Sequence, residues 1–359
     1  MDAAARWGAE IRAATALTEK GRWEDAGAAW SALARTTAQV GDLAAADHAA
    51  RAGADALRRA DRPARAAELL ARVLDAGRAR SADAALLAGC LLDAGAAGPS
   101  MSAAERAVRL ATNEGDAVLA RDTRLGVRLA TGALAAATED HAWLSVSALP
   151  AAGWSAAFRG AQLARLGGDL PGALATWERL ARQLGKAPAA AGALAGILQE
   201  QGETHLLRAR LSTIDGDERA AREAARDATT CFEGAGRCSA QAQRRAGLLR
   251  AEAWAAVARA RVGRAAVLPR GDEMVAWAEA SGLAPLQAEL RATLAELRHT
   301  REQDEAAVAL LEGFPLARAR VRLRAALGRR WPIDDAERAR LARDLSADVP
   351  WARLLAACG

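Results

Sequence analysis

The fold is indicated by the stretch GRWEDAGAAWSAL, residues 21–33. After the opening glycine, Ala26, Trp30 and Leu33 follow one another at spacings of four and three residues, which places them on one face of a helix. The same pattern returns in GDLPGALATWERL, residues 168–180. A small residue beside a large one lets a neighbouring helix approach closely while the indole fills the remaining space. Both stretches therefore predict a turn followed by a closely packed helix.

The composition supports helices throughout. The chain has 359 residues, of which 102 are Ala and 47 are Arg, with two Lys and no Tyr. Ala, Leu, Arg and Glu favour helices, and β-branched and aromatic residues, which sheets need, are scarce. A hydrophobic content of 52% with a net charge of only +5 excludes a disordered chain. The excess of Arg over Lys is typical of GC-rich coding, as in many bacteria, so the charge alone indicates no anionic partner.

Weaker copies of the pattern can be aligned on their turns. Asp61 and Gly95 are 34 residues apart, and Gly168 and Gly202 have the same separation. We expect Gly202 to mark a turn, and we expect an inserted loop to follow Gly95. A fixed period of this length is characteristic of arrays built from helical hairpins.

The chain resembles the tetratricopeptide repeat family, whose unit is a helical hairpin of this length. The match is carried by Gly21, Trp23, Ala26, Trp30 and Leu33, and by Gly168, Leu170, Ala173, Trp177 and Leu180. It covers roughly residues 7–215 and implies an all-α, right-handed α-solenoid of antiparallel hairpins. We therefore expect one region at residues 1–215, and diverged helical repeats or a helical cap at residues 216–359.

In the second region, helical patterns are broken by short polar stretches. We expect a break between Cys231 and Cys238, where two glycines occur, and an aspartate N-cap at Asp334 or Asp335. We also expect Trp331 and Trp351 to be partly exposed. The predicted helices are residues 217–233, 239–262, 271–281, 283–299, 302–312, 315–329, 334–346 and 349–357.

The resemblance also implies a partner-binding surface. Stacked hairpins form a concave groove in which members of the family bind peptides or helices. In the hairpin before Asp61 the groove positions fall on His48, Arg51, Asp55, Arg58 and Arg59. In the hairpin before Gly168 they fall on Ser155, Phe158, Gln162, Arg165 and Leu166. The first set is mostly basic, so we expect it to hold an acidic peptide or a terminal carboxylate through arginine contacts.

An arginine-rich run near the carboxyl terminus gives an alternative. Residues 314–330 contain no acid and six arginines: Arg318, Arg320, Arg322, Arg324, Arg329 and Arg330. Such a run suits either nucleic acid or an acidic partner, although Glu337 and its neighbours follow closely and can pair with it. A nucleic-acid partner is the less favoured interpretation. A third is that the chain is the sensory helical array of a kinase- or regulator-linked assembly.

No arrangement of residues indicates catalysis. The four histidines lack metal-like neighbours, and no phosphate-binding loop or nucleophile motif occurs. The acids from Glu296 to Asp304 have the pattern of a solvated helix face. We therefore predict a non-enzymatic scaffold or adaptor that has no metal or cofactor and binds a protein or peptide. Cys90 lies in an apolar run and is predicted to be a core residue. Without an apolar leader or a membrane-length apolar stretch, the expected location is the cytoplasm.

Overall fold

The computed structural model describes residues 3–185, 190–264 and 268–358. Within these ranges the chain forms nineteen α-helices and no strand, which confirms the all-helical prediction. The residues group into two compact units. Unit 1 comprises the residues up to Val127 together with Ser281–Leu283, and unit 2 comprises Arg128–Ala280 and the residues from Ala284 onward.

Unit 1 is built from six helices and the greater part of a seventh. Consecutive helices of the first six pack against each other along the chain. The helices are α1 (Ala3–Glu19), α2 (Trp23–Gln39), α3 (Leu43–Arg59), α4 (Pro63–Asp75), α5 (Ser81–Asp93), α6 (Ala97–Leu110) and α7 (Glu114–Thr131).

The stretch from residue 21 to residue 33 is a turn and a helix, as predicted. Gly21 adopts a φ of 68°, a conformation that glycine tolerates best, and α2 starts two residues later. Ala26 and Trp30 are buried on the packed face of α2. A Cβ atom on the neighbouring Gly27 would lie 2.7 Å from the side chain of Leu57 on α3. The two helices therefore approach each other as closely as the small residues of the pattern suggest.

Unit 2 contains the last residues of α7 and twelve further helices. They are α8 (Leu134–Val146), α9 (Pro150–Leu166), α10 (Leu170–Leu184), α11 (Ala191–Ile214), α12 (Glu218–Gln241), α13 (Arg245–Arg261), α14 (Gly271–Ala280), α15 (Ala284–Arg298), α16 (Arg301–Leu310), α17 (Pro315–Leu327), α18 (Asp335–Asp344) and α19 (Val349–Ala356).

The second copy of the pattern shapes the start of unit 2. Ala173, Trp177 and Leu180 are almost fully buried on α10. The ring of Phe158 on α9 meets the Trp177 indole edge-on, with the ring centroids 5.0 Å apart. The spacing of the pattern therefore identified the buried face of this helix.

Three of the turns between helices use the same pair of residues, a glycine followed by an aspartate. Gly41, Gly168 and Gly216 have positive φ angles and follow the ends of their helices. The next residue caps the following helix through its carboxylate, which accepts a hydrogen bond from the backbone N–H three residues on. Asp334 caps α18 in the same way, as predicted, with its carboxylate 2.8 Å from the backbone nitrogen of Glu337.

Alternate helices of unit 2 pack into a closed series, and we call α9, α11, α13, α15, α17 and α19 the inner helices. α11, α13, α15 and α17 contact one another in succession, and α19 packs on α9, α11 and α17. One apolar cluster joins both ends of the unit. It includes Leu166, Leu170, Leu207 and Leu211 from its first half and Leu323, Leu341, Trp351, Leu354 and Leu355 from its last. The carboxyl-terminal helices therefore cover a face of α9 and α11.

Several predicted breaks are wrong. Gly202 lies inside α11, and the glycines between Cys231 and Cys238 lie inside α12. Gly202 allows close packing instead, because a Cβ atom there would lie 2.5 Å from the ring of Phe232. The loop expected after Gly95 is largely helical, since α6 begins at Ala97.

Other expectations concern single side chains. Cys90 is fully buried, as predicted, and burial raises the pKa of its thiol to about 12. Trp331 is half-buried, but Trp351, expected to be partly exposed, is buried in the apolar cluster of α19. No described helix has the length and apolar character needed to cross a membrane. The predicted change at residue 215, from repeats to a diverged half, stays a prediction.

Candidate functional site

The predicted groove residues of α3 have contacts of different kinds. The ring of His48 meets Trp30 edge-on at 5.7 Å. The Nε atom of Arg51 donates a 2.9 Å hydrogen bond to Asp83 on α5. Asp55 and Arg59 pair with each other on the exposed face of α3 at 2.9 Å, and the Arg59 guanidinium lies 4.9 Å from the centre of the Trp23 ring.

Arg58 is the exception in this set. Among the described residues it forms no ion pair and no hydrogen bond, and its Nε atom is enclosed without an acceptor. The neighbouring surface on α5 is bare, because a Cβ atom on Gly89 would meet nothing closer than the Nη2 atom of Arg58, at 4.0 Å. A half-buried guanidinium therefore lies beside an open patch of helix backbone.

The predicted groove residues of α9 contact other residues of the same unit. Phe158 stacks on Trp154 at 5.5 Å, and Leu166 is buried in the apolar cluster that contains α19. Gln162 donates a 2.6 Å hydrogen bond to Glu200 on α11. Arg165 lies 2.9 Å from Glu200 and 3.3 Å from Glu203.

The arginine run contains the whole of α17 and continues to Arg330, and the chain supplies acids to five of its six arginines. Three of these arginines are almost fully buried: Arg322, Arg324 and Arg330. Within each pair the nearest nitrogen and oxygen atoms are separated by 3.9 Å (Arg318–Asp344), 2.5 Å (Arg320–Asp348), 2.6 Å (Arg322–Glu337), 2.6 Å (Arg324–Glu296) and 2.7 Å (Arg330–Asp304). Arg329 is exposed and has no ion pair within the described part of the chain. The run is thus largely an internal network.

The sequence interpretation missed a charged cluster enclosed by the inner helices. Glu296 on α15 accepts from three guanidinium groups. The nearest nitrogen–oxygen distances are 2.6 Å to Arg324 on α17, 2.9 Å to Arg261 on α13 and 3.1 Å to Arg210 on α11. The Arg210 and Arg324 side chains are each only 5% exposed. We call these four residues the Glu296 cluster.

Two indole rings enclose the Glu296 cluster. The Arg324 guanidinium lies 4.6 Å from the centre of the Trp254 ring, and that of Arg210 lies 5.4 Å from the Trp351 ring. These are cation–π distances. Two inner helices, α13 and α19, supply the rings, so the closure of unit 2 by α19 also completes the surroundings of the cluster.

The electrostatics of the Glu296 cluster are unbalanced. Burial opposes ionisation of Glu296, but the guanidinium of Arg210, followed by those of Arg324 and Arg261, holds the pKa of this carboxyl well below its usual value. Burial also lowers the pKa of Arg210, to about 9, because Glu296 only partly offsets it and the other two arginines oppose the charge. The single carboxylate of Glu296 therefore cannot neutralise the three guanidinium groups around it.

A second group of charges lies on the same inner helices. Glu289 pairs with Arg250 at 2.8 Å and also accepts a hydrogen bond from the Trp254 indole. Burial raises the pKa of Glu289, with the negative charge of Glu203 adding to the effect against the attraction of Arg250. Acids therefore predominate around Glu203 and Glu289, whereas arginines predominate around Glu296.

The expectation that Glu296 to Asp304 form a solvated face is wrong. The Glu296 side chain is 15% exposed and that of Asp304 is fully buried against Arg330. The sequence contains one signal for this, because Glu289 and Glu296 recur seven residues apart on a face of α15. Their arginine partners lie on other helices, however, so that spacing reveals no pairing.

Comparisons with known proteins assign the chain to no family. No protein-family model matches the chain, and no curated protein matches it. Within the described residues, no group of three or more His, Cys, Asp or Glu side chains is arranged to hold a metal ion.

Proposed function

We propose that the chain is a non-enzymatic, tetratricopeptide-like helical repeat protein that binds an acidic segment of a protein partner beside Arg58. Its helices would stack as the hairpins of a right-handed α-solenoid. The two tryptophan-bearing copies of the repeat pattern support this, because each forms a turn followed by a closely packed helix. The contacts between consecutive helices are consistent with such an array.

The observation that carries the proposal is the unpartnered guanidinium of Arg58. An enclosed donor without an acceptor costs about 1–3 kcal/mol, and native proteins keep few of these. The guanidinium of Arg58 lies close enough to Cys90 to act electrostatically on its thiol, as do the carboxylates of Asp55 and Asp93. The Nη2 atom of Arg58 faces the surface at Gly89, so a carboxylate of a bound segment would pair with the guanidinium through its Nη atoms, and the bare surface gives that segment room.

The α9 set is the weaker candidate. Gln162 and Arg165 already bond to acids of α11, and α19 covers part of the neighbouring apolar surface. A partner there would have to replace these contacts. The alternative of nucleic-acid binding by the arginine run of residues 314–330 has little support, since five of its six arginines face acids of the chain. The role as a sensory array and the cytoplasmic location stay predictions.

The test is a selection of peptides on the full chain, starting from a random displayed library. We expect the selected peptides to share acidic residues or a free carboxyl terminus. Binding of a selected peptide, measured by fluorescence anisotropy, should weaken at least tenfold in Arg58→Gln, because a charge-assisted hydrogen bond contributes about 1.5–3 kcal/mol. Gly89→Leu should weaken it similarly by filling the bare surface.

Arg35→Gln is the matched control, because Arg35 is an exposed arginine of the same unit, on α2. It should leave the affinity unchanged. Circular dichroism should show that all three variants keep the helical content of the parent. Selected peptides that lack acids, or affinities that neither Arg58→Gln nor Gly89→Leu changes, would refute binding at this surface.

A further inference from the structure

The Glu296 cluster contains more hydrogen-bond donors than its acceptors can use. Both carboxylate oxygens of Glu296 are already shared among the three arginines. Three guanidinium groups surround one carboxylate, which leaves an excess of two positive charges. The arrangement therefore lacks two negative charges.

A cluster whose only role was to stabilise the fold would not place three arginines around one carboxylate. Removing a charge from water costs several kcal/mol unless it is paired and hydrogen-bonded. The neighbouring ion pairs of the arginine run follow that rule: Arg322 has one carboxylate, Glu337, and two backbone carbonyls, and Arg330 has its own carboxylate, Asp304. The Glu296 cluster departs from the rule within the same unit.

We propose that Arg210, Arg261 and Arg324 form a binding site for a small dianion of the phosphate class, either free phosphate or the head group of a phosphate monoester. Such an anion carries about two negative charges near neutral pH and has several strong acceptor oxygens. It matches the charge deficit of the cluster. Planar guanidinium groups are the side chains best suited to bind phosphate oxygens in pairs.

The low exposure of the arginine side chains limits the size of the ligand. The Arg210 and Arg324 side chains are 5% exposed, whereas that of Arg261 is 31% exposed. Arg261 therefore marks the solvent-facing edge of the cluster, and a macromolecular surface could not contact the other two arginines. The faces of Trp254 and Trp351 hold the guanidinium groups of Arg324 and Arg210 in orientation, which reduces the ordering cost of binding.

The site can be tested with the full chain and inorganic phosphate. Isothermal titration and thermal melting would compare phosphate with chloride at equal ionic strength, near neutral pH. We expect saturable binding of phosphate and a melting temperature that rises with its concentration. Phosphoserine as free amino acid is the second ligand, and it distinguishes a site for monoesters from one that accepts only the free ion. Binding of either ligand supports the site, and binding of neither refutes it.

Two variants show where the phosphate binds. Arg261→Gln removes the most exposed member and should weaken phosphate at least tenfold. The control is Arg298→Gln, which breaks a solvent-exposed pair with Asp272 on α14 and should leave the affinity unchanged. Equal effects of the two substitutions would mean that phosphate binds elsewhere, and would overturn the proposal.

Glu296→Gln provides a readout that a purely structural cluster would not give. Removing the internal carboxylate should lower the melting temperature in chloride, because three arginines lose their shared partner. Phosphate should then bind at least tenfold more tightly than in the parent, since its competitor is absent, and should restore much of the lost melting temperature. A variant that phosphate fails to rescue would contradict the site.

Discussion

At the scale of single residues, glycines show how one residue type serves several purposes in this chain. Gly41, Gly168 and Gly216 lie in turns with positive φ angles. Gly202 is different, because it lies in the middle of α11, where the aromatic ring of Phe232 takes the space of a side chain. In a sequence both kinds appear as the same letter between helical patterns, which explains why a turn was expected at Gly202.

We predict that Gly202→Ala lowers the free energy of unfolding. The added methyl group would lie 2.5 Å from the buried Phe232 ring, and overpacking of this kind typically costs about 1–3 kcal/mol. Gly196→Ala on the same helix is the control. A Cβ atom at Gly196 meets nothing within 4 Å, so alanine should stabilise the helix by about 0.5–1 kcal/mol. Urea unfolding curves would measure both, and a Gly202→Ala protein as stable as the parent would contradict this packing.

At the scale of one element, the bounds of α17 could be predicted from the sequence, but the partners of its arginines could not. The expected range of residues 315–329 agrees with the observed helix, Pro315–Leu327, because a proline begins it and a glycine follows it. The role of its arginines did not follow from the same pattern. Their partners lie on α15, on α18 and just before α19, and local spacing carries no information about such distant pairs. Of these partners, only Glu337 was considered from the sequence.

We predict that Arg322→Gln destabilises unit 2 strongly. Arg322 is 4% exposed, pairs with Glu337 and lies 4.0 Å from the centre of the Trp331 ring. Breaking a buried pair by removing one partner costs about 3–5 kcal/mol. Arg318→Gln, on the same helix, loses only a weak, partly exposed pair at 3.9 Å, so its effect should stay within about 0.5 kcal/mol. Thermal and urea unfolding would compare the two, and equal losses of stability would contradict the paired arrangement of α17.

At the scale of the whole molecule, the sequence predicts the helices better than their arrangement. Ala26, Trp30 and Trp177 lie on buried faces as the spacing indicated, and the aspartate cap at Asp334 is observed. The closure of unit 2 by α19 was not predicted, because it depends on contacts between residues more than 140 positions apart, such as those around Leu207 and Leu354. The Glu296 cluster was not predicted either, because its arginines lie 28, 35 and 86 positions from Glu296 on three other helices.

We predict that Trp351→Ala loosens α9 and α11 as well as α19. Truncating a buried tryptophan typically costs about 3–5 kcal/mol, and Trp351 shares its apolar cluster with Leu166, Leu170 and Leu207. Hydrogen exchange measured by mass spectrometry should therefore become faster in the peptides that contain α9 and α11. The exposed Val349 on the same helix provides the control, because Val349→Ala should leave exchange there unchanged. Faster exchange confined to α19 would argue against a shared core.

The closed packing of the inner helices has a consequence for how this chain can evolve. Open helical arrays lengthen and shorten by duplication or loss of whole hairpins, because each hairpin contacts only its neighbours. In unit 2 the gain or loss of one hairpin between α11 and α17 would carry Trp351 and Leu354 away from the leucines that they cover on α11. Descendants of this chain should therefore keep a constant number of helices in unit 2, with changes in its length restricted to the turns.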